Sequence, residues 1–180
     1  VGKNTSLLTL FFFQDENAFS VPAFPFPILQ HEILNIAKMN LTATAENGRA
    51  RIELKGTISK WRETEAEFTS KVEQLIRSGI KDVHIYINSP GGECFEANEI
   101  VNVIKKFPGK ITGEGGALVA SAATYIAINC TSFSMPANGL FMIHQVSGGA
   151  CGRVADIESA LEVMRKLNEH YLNAFLSKCT

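Results

Sequence analysis

Residues 111–145 read ITGEGGALVASAATYIAINCTSFSMPANGLFMIHQ, and the placement of Ser121 and His144 within them decides how the rest of the chain is read. The small residues Gly115, Gly116 and Ala117 predict a turn into Ala120-Ser121-Ala122-Ala123, where nothing bulky bars a substrate backbone from the Ser121 hydroxyl. Ser121 to Ile128 has the composition of a short apolar helix, and Leu140 to His144 that of a strand. A serine hydroxyl is a poor nucleophile until a base takes its proton. His144, at the carboxyl end of an apolar strand where βα folds present functional groups, is the candidate base. A helix opening at Ser121 leaves the Ala122 N–H free to hold an oxyanion, aided by the helix dipole. Gly92 is the candidate second donor, because a residue without Cβ lets its main chain approach the substrate closely.

Working outward, the periodicities alternate between strand and helix. Ala50, Ile52 and Leu54 interleave with Arg51, Glu53 and Lys55, the period-two pattern of a half-exposed strand ending at Gly56. Thr64 and Glu67 have capping-box spacing, and Phe68, Val72, Leu75 and Ile76 follow at helical intervals up to Gly79. Asp82 to Asn88 is a β-branched and aromatic strand stopped by Ser89-Pro90. Beyond Gly91-Gly92, Ala97, Ile100, Val101 and Ile104 form the buried stripe of a second helix ended by Pro108-Gly109, and Lys110 to Gly113 is a short strand. Val154, Ile157, Leu161, Met164, Leu167 and Tyr171 lay an apolar stripe along a final helix starting near Arg153, longer than the globular average and able to reach a neighbouring subunit. Such alternation implies an α/β fold of βαβ units.

Composition removes several classes of function. The chain has 180 residues, 46% of them hydrophobic and 19% charged, enough for one domain with a core. A net charge of −1 offers no basic field for nucleic acid or an anionic membrane. No apolar run reaches the ~20 residues that span a bilayer. Cys94, Cys130, Cys151 and Cys179 form no CxxC pair, so a zinc ribbon or redox dithiol is not expected; reduced, mostly buried thiols suit a cytoplasmic protein. The glycine pairs at 91–92, 115–116 and 148–149 fit neither GxxxxGK[ST] nor GxGxxG, which excludes a P-loop, and neither a cofactor nor a metal is expected. His31, His84 and His170 are read as structural, and Cys94 as a small packing residue near the site.

Residues 1–38 stand apart. They hold six of the 12 phenylalanines and half of the six prolines, and VPAFPFP forbids a regular helix there. The run LLTLFFF is short for a secretory signal and is followed at once by Gln14-Asp15-Glu16. The expectation is an irregular or non-native leader over 1–38, with Met39 as the natural start of a domain over 39–180.

Taken together, YINSPGG, ASAA, MIHQ and GG-x-x-G before a long helix resemble the Clp protease proteolytic subunit (ClpP) family, over roughly residues 48 to 180, and more closely its shorter phage and prophage relatives. The resemblance implies the ClpP/crotonase-like spiral of repeated ββα units with a protruding handle helix, and a serine endopeptidase that cuts unfolded proteins inside an oligomeric chamber. It implies Ser121 as nucleophile, His144 as general base, and Gly92 and Ala122 as oxyanion donors. Gly91 and Gln145, Val146, Ser147, Gly148 and Gly149 would bind extended substrate. Asp156 would open the handle through which heptameric rings stack into a tetradecamer, and an AAA+ unfoldase would feed the chamber.

Two features depart from the pattern. Met39 to Glu53 does not look like the loops and clefts that receive the ATPase, and Lys55 to Ile80 is shorter than in housekeeping members. The triad aspartate is expected about fifty residues beyond His144, whereas only Asp15, Asp82 and Asp156 are present and none matches, so the expectation is truncation before the acid and a nearly inactive polypeptide. The alternatives are a crotonase-like acyl-CoA enzyme, which would not need Ser121, and a non-catalytic ring subunit.

Overall fold

The computed structural model describes residues 40–46, 48–62 and 64–178; the leader and the Met39 start lie outside the described residues. Strands β1 (Asn40–Glu46) and β2 (Arg49–Lys55) form an antiparallel hairpin, and β2, β3 (Asp82–Ser89) and β4 (Lys110–Ala120) run parallel. The crossovers are helices α1 (Thr64–Arg77), preceded by a 3₁₀ turn at Lys60–Arg62, and α2 (Cys94–Lys106). After β4 come α3 (Ala122–Ile128), the three-residue strands β5 (Ser132–Ser134) and β6 (Leu140–Met142), and the 23-residue α4 (Val154–Leu176). Both short strands pair with β4, β5 with its first half and β6 with its last three residues.

Each strand buries one set of alternate residues. Ile52 and Leu54, then Val83, Ile85 and Ile87, face the stripes Phe68-Val72-Leu75 of α1 and Ala97-Ile100-Val101-Ile104 of α2, all of them buried in one core. The opposite face of β2–β4 is polar, and this explains the clean alternation of Arg49–Lys55 in an otherwise parallel sheet. On that face Arg51 reaches Glu53 (3.3 Å) and Glu114 (3.4 Å), and His84 bridges Thr112 (3.0 Å) and Glu114 (3.1 Å). Arg51 and Lys55 both lie 5.2 Å from the centre of the Tyr86 ring. The hydrogen bond from His84, with Arg51 beside it, holds the Glu114 carboxyl below the usual carboxylate range. A depressed acid contributes stability that is complete above its unfolded pKa of about 4.3 and is lost as pH falls through the folded value. Glu114→Gln should therefore flatten the acid limb of the stability profile below about pH 4.3 and cost less than about 1 kcal/mol at pH 7, since the side chain is 43% exposed and solvent screens the pair; urea melts at pH 3.5 and 7 check both.

Three local expectations change. The strand at Lys110 does not stop at Gly113 but runs to Ala120 through Gly115-Gly116-Ala117, which was expected to turn. Lacking Cβ, Gly113 and Gly115 let the Phe133 ring lie across the strand, where added Cβ atoms would stand 2.9 and 3.0 Å from its carbons. The expected turn survives as a bulge: β3 advances from Ile87 to Ser89 while β4 advances from Gly115 to Val119, and Asn88 Oδ1 spans the gap by accepting from the Leu118 N–H at 3.0 Å. Thr64 does not form a capping box with Glu67. Its buried hydroxyl donates to the Ser59 carbonyl (3.1 Å) and accepts from the Ser59 N–H (3.2 Å), while Glu67 pairs with Lys71. His144 lies two residues past β6 rather than within it.

α4 touches the body only near its end. Val154, Ile157 and Leu161 are 72%, 46% and 42% exposed, whereas Tyr171 is 8% exposed. The Tyr171 ring stacks on Tyr125 (4.4 Å between centroids), and its hydroxyl hydrogen is shared between the Cys94 carbonyl and Asn98 Oδ1, each at 3.1 Å. Tyr125 in turn bonds His170 Nε2 at 2.8 Å, the structural role expected of that histidine. Tyr171→Phe keeps the stack and removes the hydroxyl; a loss of about 1 kcal/mol is expected, read as a melting temperature lower by about 2–4 °C.

Candidate active site

The site forms where two strand-to-helix turns meet. At the first, β4 runs directly into α3, and Ser121 carries the whole change of direction at φ 53°, ψ −129°. It is the only non-glycine residue with positive φ among those described. Its main chain is pinned on both sides: the N–H donates to the Met142 carbonyl of β6 (2.8 Å), and its carbonyl accepts from the Thr124 N–H (2.9 Å) and hydroxyl (2.5 Å). A side chain thrown outward by a strained turn between a strand and a helix is the arrangement that exposes a nucleophilic serine. The Ser121 hydroxyl makes no hydrogen bond among the described residues, and Ala122, the first residue of α3, has no intrahelical acceptor for its N–H.

At the second turn, β3 gives way to α2 through Ser89-Pro90-Gly91-Gly92. Ser89 is fully buried; its hydroxyl donates to the Gly56 carbonyl (2.6 Å) and accepts from the Gly91 N–H (3.1 Å). The Ile58 N–H donates to the Gly91 carbonyl (2.9 Å), and the Glu93 N–H donates to the Ile58 carbonyl (3.0 Å). Those bonds use the polar groups on either side of Gly92 and leave its own N–H without a partner among the described residues. Gly92 and Ala122 thus bring two uncommitted N–H groups to one cleft of about 40 Å³ that Ser121 and His144 also line.

Gly91, expected to bind substrate, lies beside the cleft rather than in its lining. Its N–H and carbonyl are both committed, it does not line the cleft, and a Cβ there would stand 2.6 Å from Ser121 Cβ and 2.9 Å from the Ala122 nitrogen. It is the contact that sets one turn against the other.

His144 is exposed, and its Nδ1 lies 2.6 Å from the Gln145 carbonyl oxygen. A carbonyl can only accept, so Nδ1 carries the proton and neutral His144 presents Nε2 as its basic nitrogen, the tautomer a general base needs. The main chain thereby does part of the orienting work of a triad acid. No hydrogen bond joins Ser121 to His144, and no acid meets the imidazole among the described residues. Asp156 belongs to the start of α4, where it accepts from the Arg153 N–H (3.0 Å) and guanidinium (3.1 and 3.3 Å), bonds that hold its carboxyl below the usual range. Asp82 opens β3, at the end of that strand remote from Gly92, and Asp15 lies outside the described residues.

The segment 145–149, expected to bind extended substrate, forms no strand. A strand needs a partner, and this run lies along α4 with its main chain largely unpaired; the Val146 N–H is held by Asn168 Oδ1 (2.6 Å). Gln145, Val146 and Ser147 line the cleft, whereas Gly148 and Gly149 lie outside it. Asn168, Tyr171 and Phe175 of α4 also shape the site and were not expected there; the periodicity of α4 marks Tyr171 only as a packing residue. The thiols are mixed. Cys130 is buried and its pKa is pushed up to about 12, Cys94 lines the cleft, Cys151 is exposed, and Cys179 lies outside the described residues.

The sequence model of the Clp protease family matches residues 48–180. The chain belongs to the Clp protease family. Similar members include ATP-dependent Clp protease proteolytic subunit 3 of Rhizobium etli, 32% identical over 113 residues that cover 62% of this chain and 58% of the relative. The subunit of the same name in Rhizobium meliloti is 32% identical over 128 residues, 69% of this chain and 64% of the relative. The chloroplastic proteolytic subunit 4 of Arabidopsis thaliana is 35% identical over 104 residues, 56% of this chain and 35% of the relative. The chain thus spans less than two thirds of the length of these Clp subunits. The mixed sheet with crossover helices and a projecting α4 agrees with the Clp protease fold expected from the sequence. No described helix is long and apolar enough to cross a membrane.

Proposed function

We propose that the chain is the catalytic part of a serine-type Clp peptidase, with Ser121 as nucleophile and His144 as general base. The observation that carries the reading is the convergence on one cleft of a strained, outward-facing serine, two unpaired N–H groups and an imidazole in the basic Nε2 tautomer. His144 Nε2 takes the Ser121 proton as Oγ attacks the peptide carbonyl. The oxyanion is held by the Gly92 and Ala122 N–H groups, the protonated imidazole hands its proton to the leaving amine, and water then repeats the sequence on the acyl-enzyme. An extended substrate pairs with the open main chain of Gln145–Gly149, adding the strand that this segment lacks alone. Substrate pairing draws His144 onto Ser121, the hydrogen bond that the free chain does not make.

The chamber follows from the family and from α4. Its exposed Val154, Ile157 and Leu161 suit a second copy, and stacked heptameric rings in the cytoplasm, fed with unfolded polypeptide by an AAA+ ATPase, are the assembly proposed. The family match and the cleft support this over a crotonase-like enzyme or a non-catalytic subunit. Fluorophosphonate labelling of this chain and of the whole gene product, with the modified peptide read by mass spectrometry, is expected to mark Ser121, and faster in the latter. Absence of label at Ser121 in both overturns the proposal.

A further inference from the structure

On the peptidase reading of Ser121 and His144, we infer that Asn168 of α4 is a positioning residue for the base. It acts through the peptide group between Gln145 and Val146.

That one peptide group is bonded on both sides. Its carbonyl, which belongs to Gln145, accepts from His144 Nδ1 at 2.6 Å, and its N–H, which belongs to Val146, donates to Asn168 Oδ1 at 2.6 Å. The contact fixes which way the Asn168 amide faces, because only its oxygen can accept from an N–H. Asn168 Oδ1, a planar peptide group and the imidazole therefore form a single chain of hydrogen bonds. Bonds in such a chain polarise one another: an acceptor on the N–H makes the carbonyl across the same amide a stronger acceptor for the proton on Nδ1. When His144 Nε2 takes the Ser121 proton, the charge spread over the ring is met by a carbonyl that Asn168 has strengthened and fixed in direction.

The segment needs this clamp and α4 can supply it. Among the described residues no other hydrogen bond ties the main chain of 145–149 to the body of the fold. Asn168 is half-buried on a 23-residue helix, three residues before Tyr171. Tyr171 anchors that part of α4, its ring stacked on Tyr125 of α3 and its hydroxyl bonded to Cys94 and Asn98 of α2. α3 begins at Ala122, directly after Ser121. The docking of α4 thus registers the base against the nucleophile through Tyr125, Tyr171 and Asn168, although no hydrogen bond joins Ser121 to His144.

Fluorophosphonate labelling of the whole gene product tests this, because the probe reaches Ser121 without a peptide pairing to 145–149. Asn168→Ala is expected to slow labelling of Ser121 by about 5- to 10-fold, the worth in rate of one hydrogen bond of ordinary net strength. With a peptide substrate kcat should fall by a similar factor while KM changes by less than about 2-fold. Asn168→Asp keeps an oxygen to accept from the Val146 N–H and should label within about 2-fold of the parent. Asn168→Leu, close to asparagine in shape but without an acceptor, should behave like Asn168→Ala and replaces it if that variant does not fold. Labelling at the parent rate in the alanine and leucine variants, or an aspartate variant as slow as they are, overturns the inference and leaves the peptidase reading standing. So does a raised KM with kcat unchanged, which confines Asn168 to holding the substrate segment. If fluorophosphonate never marks Ser121 in the parent, both fail.

Discussion

Ser121→Gly is expected to abolish fluorophosphonate labelling and peptide hydrolysis while raising the melting temperature. The two effects have separate causes. Loss of the hydroxyl removes the proposed nucleophile, and rates should fall by at least about 10³-fold, because residual hydrolysis through oxyanion donors alone is small compared with that of an intact serine site. Stability moves the other way because position 121 is held at φ 53°, ψ −129°, a conformation that costs a residue with a Cβ of order 1–3 kcal/mol and glycine almost nothing. Glycine gives back part of this through its greater freedom when unfolded, leaving a net gain of about 1 kcal/mol, or roughly 2–4 °C for a domain of this size. Ser121→Ala separates the terms: it too should be inactive, but the strain remains and the melting temperature should hardly move. Hydrolysis surviving in either variant shows that Ser121 is not the nucleophile. A Ser121→Gly protein that melts below the parent shows that the turn is not strained.

The same backbone explains how far the site could be read from the sequence. The helical stripes of α1 and α2 and the alternation in β2 were legible because one face of each element packs against a continuous core while the other meets water. Ser121, His144, Gly92 and Ala122, the proposed nucleophile, base and donors, could be singled out because each sits near the end of an apolar strand or the start of a helix, and those ends leave signals in the chain. Gly115-Gly116-Ala117 misled because glycine has two uses. It permits a turn, and it also makes room for a ring, here Phe133, which lies far along the chain and gives no local sign of where it packs. Gly91 has a packing use that the sequence does not signal: a Cβ there would meet Ser121. β5 is three residues long, too short for any period to register. Asn168 and Phe175 lie 24 and 31 residues beyond His144, and only the docking of α4 brings Phe175 to the cleft and Asn168 to Val146 at its edge.

Gly92→Ala should be the most damaging single methyl in the site. Gly92 has φ 148°, which L side chains rarely adopt, and a Cβ built there would land on the Ile58 carbonyl oxygen and stand 2.8 and 2.9 Å from the Ile58 carbon and nitrogen. The obstruction is backbone rather than the end of a flexible side chain, so relief requires the 56–60 segment to move. That segment is tied to the turn by the Ile58 N–H to the Gly91 carbonyl, the Glu93 N–H to the Ile58 carbonyl, and Glu93 Oε1, which accepts from the Lys60 N–H at 3.0 Å. Strain at a special φ together with broken buried hydrogen bonds places the expected loss at about 3–5 kcal/mol, a fall of roughly 6–20 °C in melting temperature. Labelling should disappear even well below the melting point, because moving Ile58 turns the Gly92 N–H out of the cleft and removes one of the two proposed oxyanion donors, a loss worth about 10²–10³ in rate by itself. Gly91→Ala should also cost labelling, because at φ 94° its Cβ would stand 2.6 Å from both the Ala120 carbonyl oxygen and Ser121 Cβ and press on the Ser121 turn directly. If Gly92→Ala labels and melts like the parent, the β3–α2 turn is not clamped against Ile58, and the Gly92 N–H cannot be the donor on which the proposed mechanism depends.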